Sequence, residues 1–150
     1  MSKIVLKNRT DYKDSDLLKI VHYCLPPGLQ KSDLKIKVTI KQSKDDGWDG
    51  EADVEKNTVL VIAPADEFFP QVLDINHDFQ ESYFRETHLN NTTEFLIWLL
   101  SHELFHLNYN IDPKIVIIRP ELQDFVEWDE ETLVCVYAEC ILNKYRRSLF

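Results

Sequence analysis

Ser101-His102-Glu103-Leu104-Phe105-His106 sits inside an apolar run from about Thr93 to Asn108, and the reading of that run decides the fold. The run is too polar at its ends, and interrupted too soon, to cross a membrane, so it predicts a buried helix. On a helix His102 and His106 stand four apart and share one face, one turn above the other. Two neutral imidazoles so placed can close on one Zn²⁺ at roughly 2.0–2.1 Å each. Glu103 is one step round the helix, where its carboxylate reaches a water beside the metal more easily than the metal itself. Two ligands and a general base from one turn are what a metal hydrolase needs. Without such a use, two imidazoles and a carboxylate in an apolar helix are expensive, because buried polar groups need partners.

Outward from the motif, Asn91 followed three residues later by Glu94 is a capping signal for the start of this helix. Phe95, Leu96, Trp98, Leu99 and Leu100 are then buried nearly all round. Asn108 and Asn110, with Asp112-Pro113 beyond, predict its end. Ile115 to Ile118 reads as a short apolar piece, a candidate strand. A last helix is expected from about Trp128 to Arg147, with Glu131, Val134, Cys135, Ala138, Leu142 and Tyr145 on one face. Glu131 is the only charge on that stripe, and a carboxylate there wants a partner. Lys144, Arg146 and Arg147 suit the negative end of the helix dipole and read as a solvated helix end.

The N-terminal half reads as a small sheet with one helix. Ile4 to Leu6 predicts a short strand. Asp14 or Ser15 can cap a helix whose apolar face is Leu17, Ile20, Val21, Cys24 and Leu25, stopped by Pro26-Pro27-Gly28. His22 falls on its solvent side. Leu34, Ile36, Val38 and Ile40 alternate with lysines and Thr39, the period of a half-buried strand. Glu51 to Val54 and Val59 to Ile62 add two more, the last ended by Pro64. The acidic stretch Asp45 to Glu51 lacks the alternating ligands and terminal Glu of a calcium loop and reads as a solvated turn. Asp66 to Asn91 carries Phe68, Phe69, Phe79, Tyr83, Phe84, His77 and His88 with no period. It is either a surface connection pinned by aromatics or a wall of the active-site cleft.

The expected class is α+β, with a small sheet of three or four strands, the motif helix and a last helix, in one domain over residues 1–150. A net charge of −9 argues against nucleic acid or an anionic membrane as the main partner. Cys24, Cys135 and Cys140 make neither an even disulfide framework nor a CxxC pair, and the first residues carry no secretory pattern. A cytoplasmic protein with reduced thiols is the expectation.

The motif His102-Glu103-Leu104-Phe105-His106, with Glu131-x-x-Val134-Cys135-x-Tyr137-Ala138 and then Leu142 and Tyr145-Arg146, resembles the compact gluzincin zinc metallopeptidases, or minigluzincins. It is similar in particular to small phage-type and bacterial metallopeptidases. Their pattern is HExxH, then E-x-x-A-D-x-[FY]-A on a second helix, sometimes ending in L-x-x-Y-R. The resemblance covers about Asn91 to Arg147, and the N-terminal half is compatible with it. It implies a zincin-like α+β fold in which the sheet packs on the motif helix and on a second metal-binding helix, with His102, His106 and Glu131 as zinc ligands and Glu103 as general base. A substrate peptide would lie along the edge strand of the sheet, here near Gly47 to Val54.

Val134 stands where that family often has Ala, and Cys135 where it often has Asp. The family Asp would fix the tautomer of a ligand histidine, a task for which a thiol is a weak acceptor, so Asp124 or Asp129 are alternatives for it. Asp112, Glu130 and Glu127 compete with Glu131 as third ligand, although Tyr109 sits where a turn toward Asp112 would want Gly. Tyr109, Tyr137, Tyr83 and His88 are all open as transition-state stabilisers. The expected function is zinc-dependent peptide hydrolysis on a peptide or protein substrate. The alternative is a non-catalytic binding module, or a structural zinc protein, on the same scaffold. An intact Glu103 favours the enzyme, since a structural site has no use for it.

Overall fold

A computed structural model describes residues 1–74, 86–111 and 130–149. The fold is α+β, with a small mixed sheet and several helices. Four strands form the main sheet: β1 (Lys3–Arg9), β2 (Lys35–Gln42), β3 (Asp49–Asp53) and β4 (Thr58–Ala63). Their order is β1-β2-β4-β3. β1 and β2 are parallel, as are β2 and β4, while β3 runs antiparallel to β4 at one edge. A parallel pair needs a crossover. Between β1 and β2 it is supplied by α1 (Asp14–Cys24) and the single turn α2 (Pro27–Lys31). A second, two-stranded antiparallel sheet pairs β5 (Gln71–Asp74) with β6 (Glu86–Leu89).

Alternation along β2 explains the layering. Ile36, Val38 and Ile40 are fully buried, while Lys35, Lys37 and Lys41 are exposed. The buried set meets Ile4 and Leu6 of β1 and Val59 and Val61 of β4 in register. This apolar inner face rests on α3 (Thr92–Ile111), which also packs against α1, α2 and α4 (Glu130–Ser148). α3 is therefore covered on most sides, as an apolar all-round helix must be. The main core cluster runs from Leu17 and Val21 of α1 through Phe95, Leu100 and Leu104 of α3 to Ala138 and Leu142 of α4.

The start of α3 follows its capping signal. The Glu94 N–H donates to Asn91 Oδ1 at 2.9 Å. The Glu94 carboxylate reaches back to Asn90 N–H at 3.1 Å and accepts from Arg146 Nη2 at 2.7 Å, tying α4 to the first turn of α3. Other expectations change. Asp14 does not cap α1 and instead accepts from Asn8 Nδ2. Asn108 is buried within α3, its Oδ1 accepting from Leu29 N–H at 3.0 Å, and the helix ends at Ile111, one residue past Asn110, as Asn110 and Asp112-Pro113 lead one to expect. Pro27 stops α1 but also opens α2, since proline's fixed φ suits the first helical position. The unperiodic stretch before Asn91 contains β5 and β6. His77, Phe79, Tyr83, Phe84, the apolar piece Ile115 to Ile118 and Trp128 lie outside the described residues. Among the described residues no helix is long and apolar enough to cross a membrane.

Candidate metal centre

The centre is made where α3 lies against the start of α4. His102 and His106 project from one face of α3, their rings edge to face with centroids 5.1 Å apart. Glu131, in the first turn of α4, faces both: its carboxylate is 3.1 Å from His106 Nε2 and 3.7 Å from His102 Nε2. Donor atoms of His102, His106 and Glu131 all lie within 4.8 Å of one another. Tetrahedral ligands each about 2.05 Å from a common Zn²⁺ stand roughly 3.4 Å apart. The separations of 3.1 and 3.7 Å, which run to different oxygens of the Glu131 carboxylate, lie on either side of that value. Two imidazole nitrogens and one carboxylate oxygen also make a donor set suited to zinc, so the residues present fit such an ion. Among the described residues no fourth His, Cys, Asp or Glu joins the group.

The other nitrogen of each ring is also in contact. His102 Nδ1 is 3.4 Å from Cys135 Sγ, and His106 Nδ1 is 3.4 Å from Glu130 Oε1. Each contact turns the ring so that Nε2 faces Glu131, the orienting job that partners of ligand histidines perform. Trp98, one turn before His102, stacks on its ring at 5.2 Å and 28° and donates its indole N–H to Glu139 Oε1 at 3.2 Å. Thr87 of β6 also donates to Glu139. Glu130, a competitor for third ligand in the sequence, lies instead on the far nitrogen of His106. Asp112, Glu127, Asp124 and Asp129 lie outside the described residues.

Glu103 is beside the donor set rather than in it. Its Oε1 is 3.8 Å from His102 Nε2, and its side chain is nearly buried. Above it runs β3. A Cβ at Gly50 would fall 2.8 Å from Glu103 Oε1 and 2.8 Å from Leu99 Cδ1, so a larger residue there would have to displace the Glu103 carboxylate and the Leu99 side chain. Burial pushes the Glu103 carboxyl up to about 7; His106 opposes the rise, and the negative charges of Glu131, Asp49 and Glu51 reinforce it.

The histidines split. His102 falls to about 4, first through burial and then through its neighbour His106, with Glu131 opposing. For His106 burial also acts downward, yet Glu131, Glu103 and Glu130 together carry it above the ordinary value. Glu131 is held low, chiefly by its hydrogen bond from His106. A metal would take the place of the proton shared by His106 and Glu131.

The remaining candidates are not at the centre's heart. The Tyr137 hydroxyl donates to the Cys24 carbonyl at 2.8 Å and belongs to the core. His88 is exposed beside Glu86. Tyr109 packs partly buried against the core, and Tyr83 lies outside the described residues. His22 is on the surface, as expected. Sequence reading missed the orienting place of Glu130, whose one signal was its position directly before Glu131, and the stacking of Trp98, signalled by its spacing of four from His102.

No family model, curated protein or solved structure matches the chain.

Proposed function

We propose that the protein is a zinc-dependent peptidase of the gluzincin type, with a zincin-like fold. The observation that carries this reading is the division of labour on one helical turn. His102 and His106 turn Nε2 toward Glu131, while Glu103 stays outside the donor set, nearly buried and poised near neutrality. His102, His106 and Glu131 would hold the ion. When bound, Zn²⁺ supplies Lewis acidity toward a peptide carbonyl and the attacking water.

The chain's own residues do the rest. Glu103 takes a proton from the water as its oxygen bonds to the carbonyl carbon, and returns that proton to the amine nitrogen as the C–N bond breaks. Without metal, burial holds this carboxyl up to about 7, and the charge of a bound ion would draw it toward the carboxylate form that accepts the proton of water. Cys135 and Glu130 orient the two rings, and Trp98 shields His102 from water. β3, brought close by Gly50, offers an exposed edge along which an extended peptide can lie.

A structural zinc site tends to have four protein ligands. Three donors with an acid–base group alongside favour catalysis over the alternative of a binding module. The test is hydrolysis of a broad peptide library by zinc-loaded protein near neutral pH. Glu103→Gln should keep its zinc and lose about 10²–10⁴-fold in rate, the range for a positioned general base. Equal rates in parent and variant would exclude this mechanism.

A further inference from the structure

The outward face of the main sheet carries a charge pattern at odds with the rest of the chain. Acids outnumber bases 26 to 17. Yet every charged outward side chain on β1 and β2 is a cation: Lys3, Lys7 and Arg9, then Lys35, Lys37 and Lys41. All six are exposed, and among the described residues none forms an ion pair. Lys3 stands directly opposite Lys35, and Arg9 opposite Lys41. Like charges so paired across a sheet are destabilising. Lysines on an edge strand guard it against aggregation, which accounts for β1. That does not account for β2, which lies between β1 and β4.

The geometry narrows the ligand. A trough of about 750 Å³ runs over this face, with Lys7, Arg9, Lys37 and Lys41 on one side and Glu51 and Asp53 on the other. Strands lie about 4.8 Å apart, so the cationic stripe is only about 10 Å wide. Beyond it come Thr58, Leu60 and Ile62 of β4 and then the acidic outward positions of β3, Asp49, Glu51 and Asp53. A bilayer or a duplex would press its negative charge on those acids as well. A single nucleic-acid strand would need aromatic platforms for its bases, and the outward positions of these four strands hold none. An extended polypeptide fits. Its same-face side chains repeat every two residues, about 6.6–6.8 Å, which is also the spacing from Lys35 to Lys37 and from Lys7 to Arg9.

We propose that the outward face of β1 and β2 docks an extended acidic polypeptide segment, its carboxylates in register with the lysine rows. This site is on the opposite side of the sheet from α3 and does not depend on the metal centre. The experiment is fluorescence anisotropy with a labelled ten-residue alternating Glu-Ser peptide at low salt. A ten-residue oligothymidylate and phosphatidylserine vesicles serve as comparators. The peptide should bind most tightly. Lys35→Glu/Lys37→Glu/Lys41→Glu should weaken it at least about tenfold, as rising salt should for the parent. Lys13→Glu/Lys19→Glu/Lys31→Glu, with the same change in net charge placed just before α1, on α1 and on α2, should weaken it less than about threefold. The sheet variant places carboxylates opposite Lys3 and Arg9, so its melting temperature should rise rather than fall. The milder Lys37→Gln/Lys41→Gln gives the same ranking at smaller amplitude. No binding by the parent, equal losses in the two triple variants, or tighter binding of the oligonucleotide or vesicles would overturn the proposal.

Discussion

Glu94 and Glu103 are the same residue type on the same helix, and they are almost equally buried, at 5% and 6% exposure. Their chemistry diverges. Burial works against the charge of both. At Glu94 the Arg146 guanidinium and the Asn90 amides outweigh it, and the carboxyl is held below its ordinary value. At Glu103 the neighbouring Glu131, Asp49 and Glu51 add to it, and the carboxyl rises to about 7. Partners, not depth, separate a carboxylate that fastens two helices from one suited to moving protons.

The largest effect on stability should come from Arg146→Leu. It strands the buried Glu94 charge with only the Asn90 amides for company, at a cost of about 3 kcal/mol in chemical denaturation near neutral pH. The sign with pH follows. Glu94's folded value is depressed, so its contribution is present above the ordinary 4.5 and lost as pH falls through the folded value. In Arg146→Leu the deficit should shrink on acidification, because a proton removes the stranded charge. A deficit that stayed constant down to pH 4 would show that the pair does not account for it.

Glu103 should behave oppositely. Its folded value lies above 4.5, so the stability it confers is complete below 4.5 and lost as pH rises to about 7. In metal-free protein, Glu103→Gln should therefore be more stable than the parent at pH 8, on the order of 2–3 kcal/mol. The gap should close by pH 4.5. Paired denaturation curves across that range measure it, and a gap of the same size at both ends would remove the buried-carboxyl explanation.

A smaller effect belongs to Cys135, which touches the His102 ring without joining the candidate donor set. Cys135→Ala frees His102 Nδ1 and should weaken zinc about 10–100-fold in chelator competition, as loss of an orienting partner does. Cys135→Asp should recover the loss or exceed the parent, since a carboxylate is the stronger acceptor. Unchanged affinity in both would make the 3.4 Å contact incidental.

These contrasts also show what the sequence could disclose. The motif helix was legible because Phe95 to Leu100 leave no polar side and Asn91 with Glu94 marks its start. Glu131 was legible as a lone charge on an apolar stripe. Asn110 with Asp112-Pro113 marked the end of α3 to within a residue, whereas the burial of Asn108 against Leu29 N–H is a tertiary contact that no local pattern encodes. Pro27 read only as a stop, and a single turn such as α2 offers no period to detect. β5 and β6 are four residues each, too short for alternation to stand out. The like-charged face of β1 and β2 appears only once register sets Lys3 against Lys35. The opposite fates of Glu94 and Glu103 depend on Arg146 and on β3, both remote in sequence.

The most direct test of the proposed centre is zinc stoichiometry, measured side by side on the parent, Glu131→Gln and Glu103→Gln after reconstitution and dialysis. The arrangement predicts one zinc per chain in the parent, one in Glu103→Gln and close to none in Glu131→Gln. Zinc kept by Glu131→Gln and lost by Glu103→Gln would contradict the assignment of ligand and base, and zinc absent from all three would contradict the centre itself.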